Sequence, residues 1–205
     1  MERTNSNMTI KWGCNLPDLK VLFFLLSFLT FVDSVYGQIS EVLWLENDSI
    51  RVAISKQGAE LQSIHGKISK LEYLWQGNSE YWPDKAPIMF PVNVRFRDDE
   101  FYYRNLKYEM PKMGIIKEGL MTLEHKSKDE AILSFVPNEE VLHENYPFLF
   151  NLLVRYKLIG NTILNEYIIT INDKRSMYFA LGGHPGFNLS LGQSNGRERH
   201  ELFFF

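Results

Sequence analysis

Leu152-Leu153-Val154-Arg155-Tyr156-Lys157-Leu158, Ile159-Gly160-Asn161-Thr162 and the run from Thr162 to Thr170 decide the fold class. The first run is β-rich and is soon ended by glycine, which reads as a strand. The Gly160-Asn161 pair supplies turn chemistry, and the run from Thr162 to Thr170 reads as a second strand. Beyond a further turn at Ile171-Asn172-Asp173-Lys174, Ser176 to Leu181 reads as a third. Leu152 to Leu181 is therefore expected to form an antiparallel meander. Working outward, Ile50-Arg51-Val52-Ala53-Ile54 alternates apolar and polar residues, and Ala131 to Val136 is a β-rich run closed by Pro137. A single helical turn is expected from Asn138 to Asn145. There the Asn138 side chain can cap, Glu139 and Glu140 suit the positive helix end, and Tyr146-Pro147 ends the turn. Many short strands with turns between them, and no long 3.6-residue period, predict an all-β sandwich or barrel.

The chain has 205 residues, 45% hydrophobic and 14% aromatic, enough for one sizeable core. A formal net charge of -3 with scattered basic residues argues against a nucleic-acid partner. Cys14 is the single cysteine, which excludes a disulfide framework within the chain and a cysteine metal site. The apolar run Val21 to Val32, between Lys20 and Asp33, falls within the roughly 7–15 residues of a signal-peptide core and is short of the ~20 that span a bilayer. Residues 1–37 are read as a signal peptide or hydrophobic extension, and 38–205 as the β-domain. Export through the secretory pathway is the expectation, with membrane attachment only if the segment is retained as an anchor. The alternative is a cytoplasmic protein. Export would make Asn47-Asp48-Ser49 and Asn188-Leu189-Ser190 acceptors of N-linked glycan, with Asn47 modified and Asn188 modified little.

The chemistry concentrates at Leu181-Gly182-Gly183-His184-Pro185-Gly186-Phe187-Asn188, after the apolar run Met177 to Ala180. A histidine between paired glycines and a proline sits where backbone can approach a ligand closely. The alternative reading is a strand-end histidine satisfied by backbone carbonyls. Other segments accompany it in order: Glu72-Tyr73-Leu74-Trp75-Gln76-Gly77, Tyr81-Trp82, Ala86-Pro87-Ile88-Met89-Phe90-Pro91, Arg95 and Tyr146-Pro147-Phe148. In that order and spacing, from about Ile50 to Asn188, the chain resembles the aldose 1-epimerase (galactose mutarotase-like) family, and most of all its LacX-type branch.

The resemblance implies a large antiparallel β-supersandwich, incomplete at its C-terminal end, because members have strands beyond the histidine segment. Glu201-Leu202-Phe203-Phe204-Phe205 would fall inside the next strand. It also implies interconversion of the α and β anomers of a hexose. That reaction moves protons only, so neither an organic cofactor nor a metal is expected. By the resemblance His184 is the general acid toward the ring oxygen, and its imidazole, with a reference pKa of about 6.5, becomes cationic at modest cost. Arg95 matches an arginine that reaches sugar hydroxyls with its fork of donors; the bland reading is a surface arginine paired with Asp98 or Asp99. Met113 stands where members carry a second histidine and cannot transfer a proton. Lys117 stands where the branch carries an arginine, and is either a ligand contact or a solvated loop lysine. Trp75 is either core, site wall or a platform for the sugar ring. The family's base, a glutamate, has no counterpart among these residues, so turnover is expected to be impaired. The alternative function is a non-catalytic carbohydrate-binding or regulatory protein. The partner is a small sugar, hexose or hexose phosphate, and nothing in the sequence sets the oligomeric state.

Overall fold

The computed structural model describes residues 41–189. The predicted signal segment 1–37 and the apolar end at 201–205 lie outside them.

Within the described residues the strands are β1 (Val42–Glu46), β2 (Ile50–Ser55), β3 (Leu61–Gly66), β4 (Ile88–Met89), β5 (Glu100–Tyr103), β6 (Leu106–Glu109), β7 (Thr122–Lys126), β8 (Glu130–Phe135), β9 (Phe150–Ile159), β10 (Thr162–Ile171) and β11 (Gly182–Gly183). They form a three-stranded sheet β1-β2-β3, a four-stranded sheet β10-β9-β8-β7, and the small pairs β5-β6 and β4-β11. All of this strand pairing is antiparallel.

The hairpin β9-β10 is the antiparallel pair expected from two β-rich runs about the Gly160-Asn161 turn, in continuous register from Thr162 opposite Ile159 to Ile171 opposite Phe150. Along β9 every second residue is buried, from Phe150 to Leu158. That face meets the first sheet: Leu45, Val52 and Ile54 share one core with Leu133, Leu152, Val154 and Tyr156. The Tyr156 hydroxyl donates to the Ala59 carbonyl at 2.9 Å, a tie between the two sheets. Burial pushes its pKa well up, so it stays a donor.

The helical turn occurs at Val141–Asn145. Asn138 caps it as expected, its Oδ1 accepting the Val141 N–H at 2.9 Å. One expected element is corrected. Ser176 to Leu181 is not a third strand of the meander, because the chain leaves the sheet after β10. Arg175 causes the departure: its guanidinium donates to both Asp173 oxygens and to the Pro147 carbonyl. Asp173 in turn accepts the Leu149 N–H at 3.2 Å. This clamp turns the chain across the 147–149 segment instead of back along β10, and the strand resumes only at Gly182, on β4.

Candidate functional site

The segment from Asp84 to Arg95 is a spine to which the candidate residues are attached. Lys85 offers its carbonyl to the Gly186 N–H at 2.8 Å, Pro87 to His184 N–H at 3.0 Å, and Pro91 to Ala180 N–H at 2.7 Å. Between them Ile88 and Met89 pair with Gly183 and Gly182. On its other side the His184 segment lies against residues 73–75. The Asn188 N–H donates to Tyr73 O at 2.9 Å, and Gly186 O accepts the Trp75 N–H at 2.9 Å. The Asn188 side chain completes the strap by giving both hydrogens of Nδ2, to Glu72 O at 3.0 Å and Leu74 O at 2.9 Å. The loop is thus an extended ribbon laced along both edges. Glycine at 186 is required by packing, since a Cβ there would lie 2.8 Å from Trp82 and 3.0 Å from Trp75.

His184 is exposed, and the indole of Trp82 meets its ring edge-on with centroids 5.0 Å apart. Such a contact, worth about 0.5–1.5 kcal/mol, steers the ring and leaves both nitrogens available. Among the described residues those nitrogens have no hydrogen-bond partner. Trp75 lies in the same wall, half-buried, with its indole N–H donating to Trp82 O at 2.9 Å. That bond spends its only donor within the protein. Among the described residues Trp82 is the aromatic whose ring meets the imidazole; the sequence offers it, with Trp75, Tyr81 and Phe187, as core, site wall or a platform for the sugar ring.

Arg95 lies at the far end of the spine. Its Nε and one terminal nitrogen both donate to Asp99, at 2.7 Å each, and the side chain is 64% exposed. Met113 joins this region through its backbone, its N–H donating to Val94 O and its carbonyl accepting Phe90 N–H, both at 3.2 Å. Met113 and Gly114 take left-handed backbone, with φ of 70° and 87°. The spine is therefore the element common to His184, Arg95 and Met113, although no side-chain contact among the described residues joins Arg95 to His184.

Lys117 is placed elsewhere. Its ammonium pairs with Asp84 at 2.9 Å and reaches Glu118 at 3.7 Å. Desolvation pulls the Lys117 pKa down, but the Asp84 bond and neighbouring carboxylates outweigh it and the net shift is upward. It lines a cavity of about 370 Å³ with Glu60, Gln62, Asp84 and Glu118, to which His184, Trp75 and Arg95 do not contribute. The site assembled from the backbone upward is thus an exposed imidazole with a tryptophan wall, and an arginine and a methionine farther along the same spine.

This arrangement has relatives. The family model for aldose 1-epimerase matches residues 41–202. The plasmid and chromosomal LacX proteins of Lactococcus lactis subsp. lactis are each 34% identical over 168 residues, covering 78% of this chain and 55% of theirs. Among solved structures, a galactose mutarotase related enzyme from Lactobacillus acidophilus superposes with a TM-score of 0.72 at 33% identity, over 76% of this chain and 51% of that one. A galactose mutarotase-like protein from Lactobacillus casei gives 0.69 at 32% identity, over 73% and 50%. The chain belongs to the aldose 1-epimerase family and has its all-β, galactose mutarotase-like fold. It spans about half the length of the relatives it matches.

Proposed function

We propose that this protein binds a hexose at the His184 loop and acts as an aldose 1-epimerase, interconverting its anomers. One observation carries the reading: an exposed imidazole, without a partner among the described residues, on a ribbon fixed by backbone bonds along both edges and walled by Trp82. Such a mounting costs little rearrangement when a ligand arrives, which is what positioning a general acid requires. His184 donates toward the ring oxygen, Arg95 contacts hydroxyls, and Trp75 with Trp82 forms the wall. Lys117 acts from the neighbouring cavity or not at all.

A second reading is favoured by Met113. A thioether at the position of the family's other histidine removes one proton-transfer group and leaves the binding surface, which suits a carbohydrate-binding protein with little turnover. Two measurements separate the readings. Hexose titration followed at the His184 imidazole resonances should show saturable shifts. Polarimetry on fresh α-glucose or α-galactose then decides between turnover and binding alone; saturable binding without acceleration selects the second reading, and no binding at high millimolar sugar overturns both. For the segment 1–37 we propose export, checked by the compartment in which the full chain accumulates.

A further inference from the structure

We propose that Asp99 is a specificity-determining residue of this site, which withholds Arg95 from phosphate groups and so restricts the ligand to uncharged sugars. The inference rests on the sugar-binding reading above and adds the charge class of the ligand and the residue that sets it.

The Arg95 fork is the donor set best shaped for a phosphate among the candidate residues, because a planar guanidinium offers two parallel N–H bonds. Asp99 already occupies that fork through both carboxylate oxygens, at 2.7 Å each. The pairing is built into the backbone. Asp98 and Asp99 take consecutive left-handed conformations, φ 58° and 57°, which fold residues 96–99 into a tight turn and bring Asp99 back over Arg95. The turn is closed by Asp99 N–H to Phe96 O at 3.2 Å and tied down by Met110 N–H to Asp99 O at 2.7 Å. Aspartate is among the few non-glycine residues that take this conformation readily in a turn, so the sequence at 98–99 suits the geometry that sets Asp99 against Arg95.

Two further cations near the spine are already engaged by protein acceptors. Lys117 is held by Asp84 and Glu118. Lys85 points its ammonium at Gln62 O, 3.2 Å, and the Gln76 side-chain oxygen, 3.4 Å. A phosphate dianion brought to Arg95 would face the Asp99 carboxylate, whereas a neutral hydroxyl can use the remaining guanidinium hydrogens without breaking the pair.

The test compares the full-length wild type with Asp99→Asn and Asp98→Asn at low ionic strength, titrating hexose, hexose 6-phosphate and inorganic phosphate. Asp98 is the control because it touches only Arg97, at 3.7 Å. Asp99→Asn should gain affinity for hexose 6-phosphate and inorganic phosphate by about tenfold, the size of one unit charge interaction at close range in water. Asp98→Asn should gain little, and the Asp99→Asn gain should shrink in 0.5 M salt, a concentration at which exposed charges are largely screened (about 4–5 Å). If wild type binds hexose and Asp99→Asn gains no phosphate affinity over Asp98→Asn, the assignment of Asp99 is overturned while the sugar reading stands. If Asp99→Asn gains inorganic phosphate but no variant binds hexose, Asp99 does restrain Arg95 and the sugar reading falls.

Discussion

The loops carrying His184 and Arg95 belong to one spine but are held by different forces. Around His184 the restraints are backbone hydrogen bonds on two edges, with Asn188 as the strap. Around Arg95 a few backbone bonds, Met113 N–H to Val94 O, Asp99 N–H to Phe96 O and Met110 N–H to Asp99 O, are joined by an exposed side-chain ion pair across a turn in left-handed backbone. A backbone lattice tolerates side-chain change wherever space allows and fails when a glycine is filled. A side-chain pair responds to charge. The two halves of the site should therefore break under different substitutions.

The largest effect is expected in the backbone lattice at the centre of the spine, where Gly114 lies against Phe90. At Gly114 φ is +87°, and an added Cβ would lie 2.1 Å from the Phe90 carbonyl oxygen. Gly114→Ala should cost about 3 kcal/mol or more, or prevent folding, because backbone strain and a backbone clash act together. Gly160→Ala shares the positive φ, +57°, but has open space around it, and should cost only about 1 kcal/mol. Urea unfolding of the pair separates clash from strain; equal losses would show that Phe90 moves aside readily.

Next comes the strap. Asn188→Ala removes the hydrogen bonds to Glu72 O and to Leu74 O, the latter keeping the Gln76 side-chain amide at 3.0 Å, a loss of about 1–2 kcal/mol. The His184 resonances should broaden in the variant, since one edge of the ribbon is then held by fewer bonds. Unchanged stability with sharp resonances would mean that the backbone bonds suffice. The same geometry bears on glycosylation. Asn188 has no free hydrogen on Nδ2, whereas Asn47 donates one, to Gly160 O at 2.8 Å, and keeps the other. In an exporting cell, mass spectrometry should find glycan at Asn47 and little at Asn188.

A moderate effect is expected at acid pH from the clamp that ends the meander. The Arg175 guanidinium beside Asp173 holds its carboxyl well below the usual carboxylate range, with the backbone N–H groups of Arg175 and Leu149 assisting. A depressed native pKa contributes stability that is present above the unfolded value, about 3.9, and is lost as pH falls toward and through the native value. Asp173→Asn should cost about 1–2 kcal/mol at neutral pH, discounted because Arg175 is partly exposed, and should flatten the loss of stability below about pH 4. An identical acid profile in the variant would place the sensitivity elsewhere.

Legibility in the sequence follows the same division of forces. Strand-forming runs between turn residues are local signals, so β2, β8, β9 and β10 are readable in the sequence, as is the Asn138 cap, a local bond between neighbours. Ser176 to Leu181 was misread because its path depends on Arg175 reaching Pro147, 28 residues away, a contact without periodic signature. At the site, His184 was conspicuous by its glycines and Trp75 by its motif. The choice of Trp82 as the ring against His184, and the closure of Arg95 by Asp99 rather than Asp98, depend on turn geometry that composition does not encode. Lys117 was a matter of register alone, and its pairing with Asp84 joins residues 33 positions apart.

The smallest effect is predicted at Gly183, inside the backbone-held loop. Neither a positive φ nor a clash requires glycine there: an added Cβ would meet the Tyr167 hydroxyl at 3.6 Å and Pro185 at 3.9 Å, ordinary contacts. At Gly182, by contrast, it would lie 2.9 Å from the end of the Met89 side chain. Gly183→Ala should therefore change stability by less than about 0.5 kcal/mol, with reduced freedom of the unfolded chain offsetting any crowding. Alternation along the ribbon puts that methyl on the face toward Tyr167, away from the side on which Gly182 meets Met89. Hexose affinity should then be retained within about twofold, less than the 1.4 kcal/mol that a tenfold change requires. Thermal unfolding and the sugar titration together check this. Retained stability with lost affinity would place the sugar on the Tyr167 face of the ribbon, and the wall formed by Trp82 would then be packing alone.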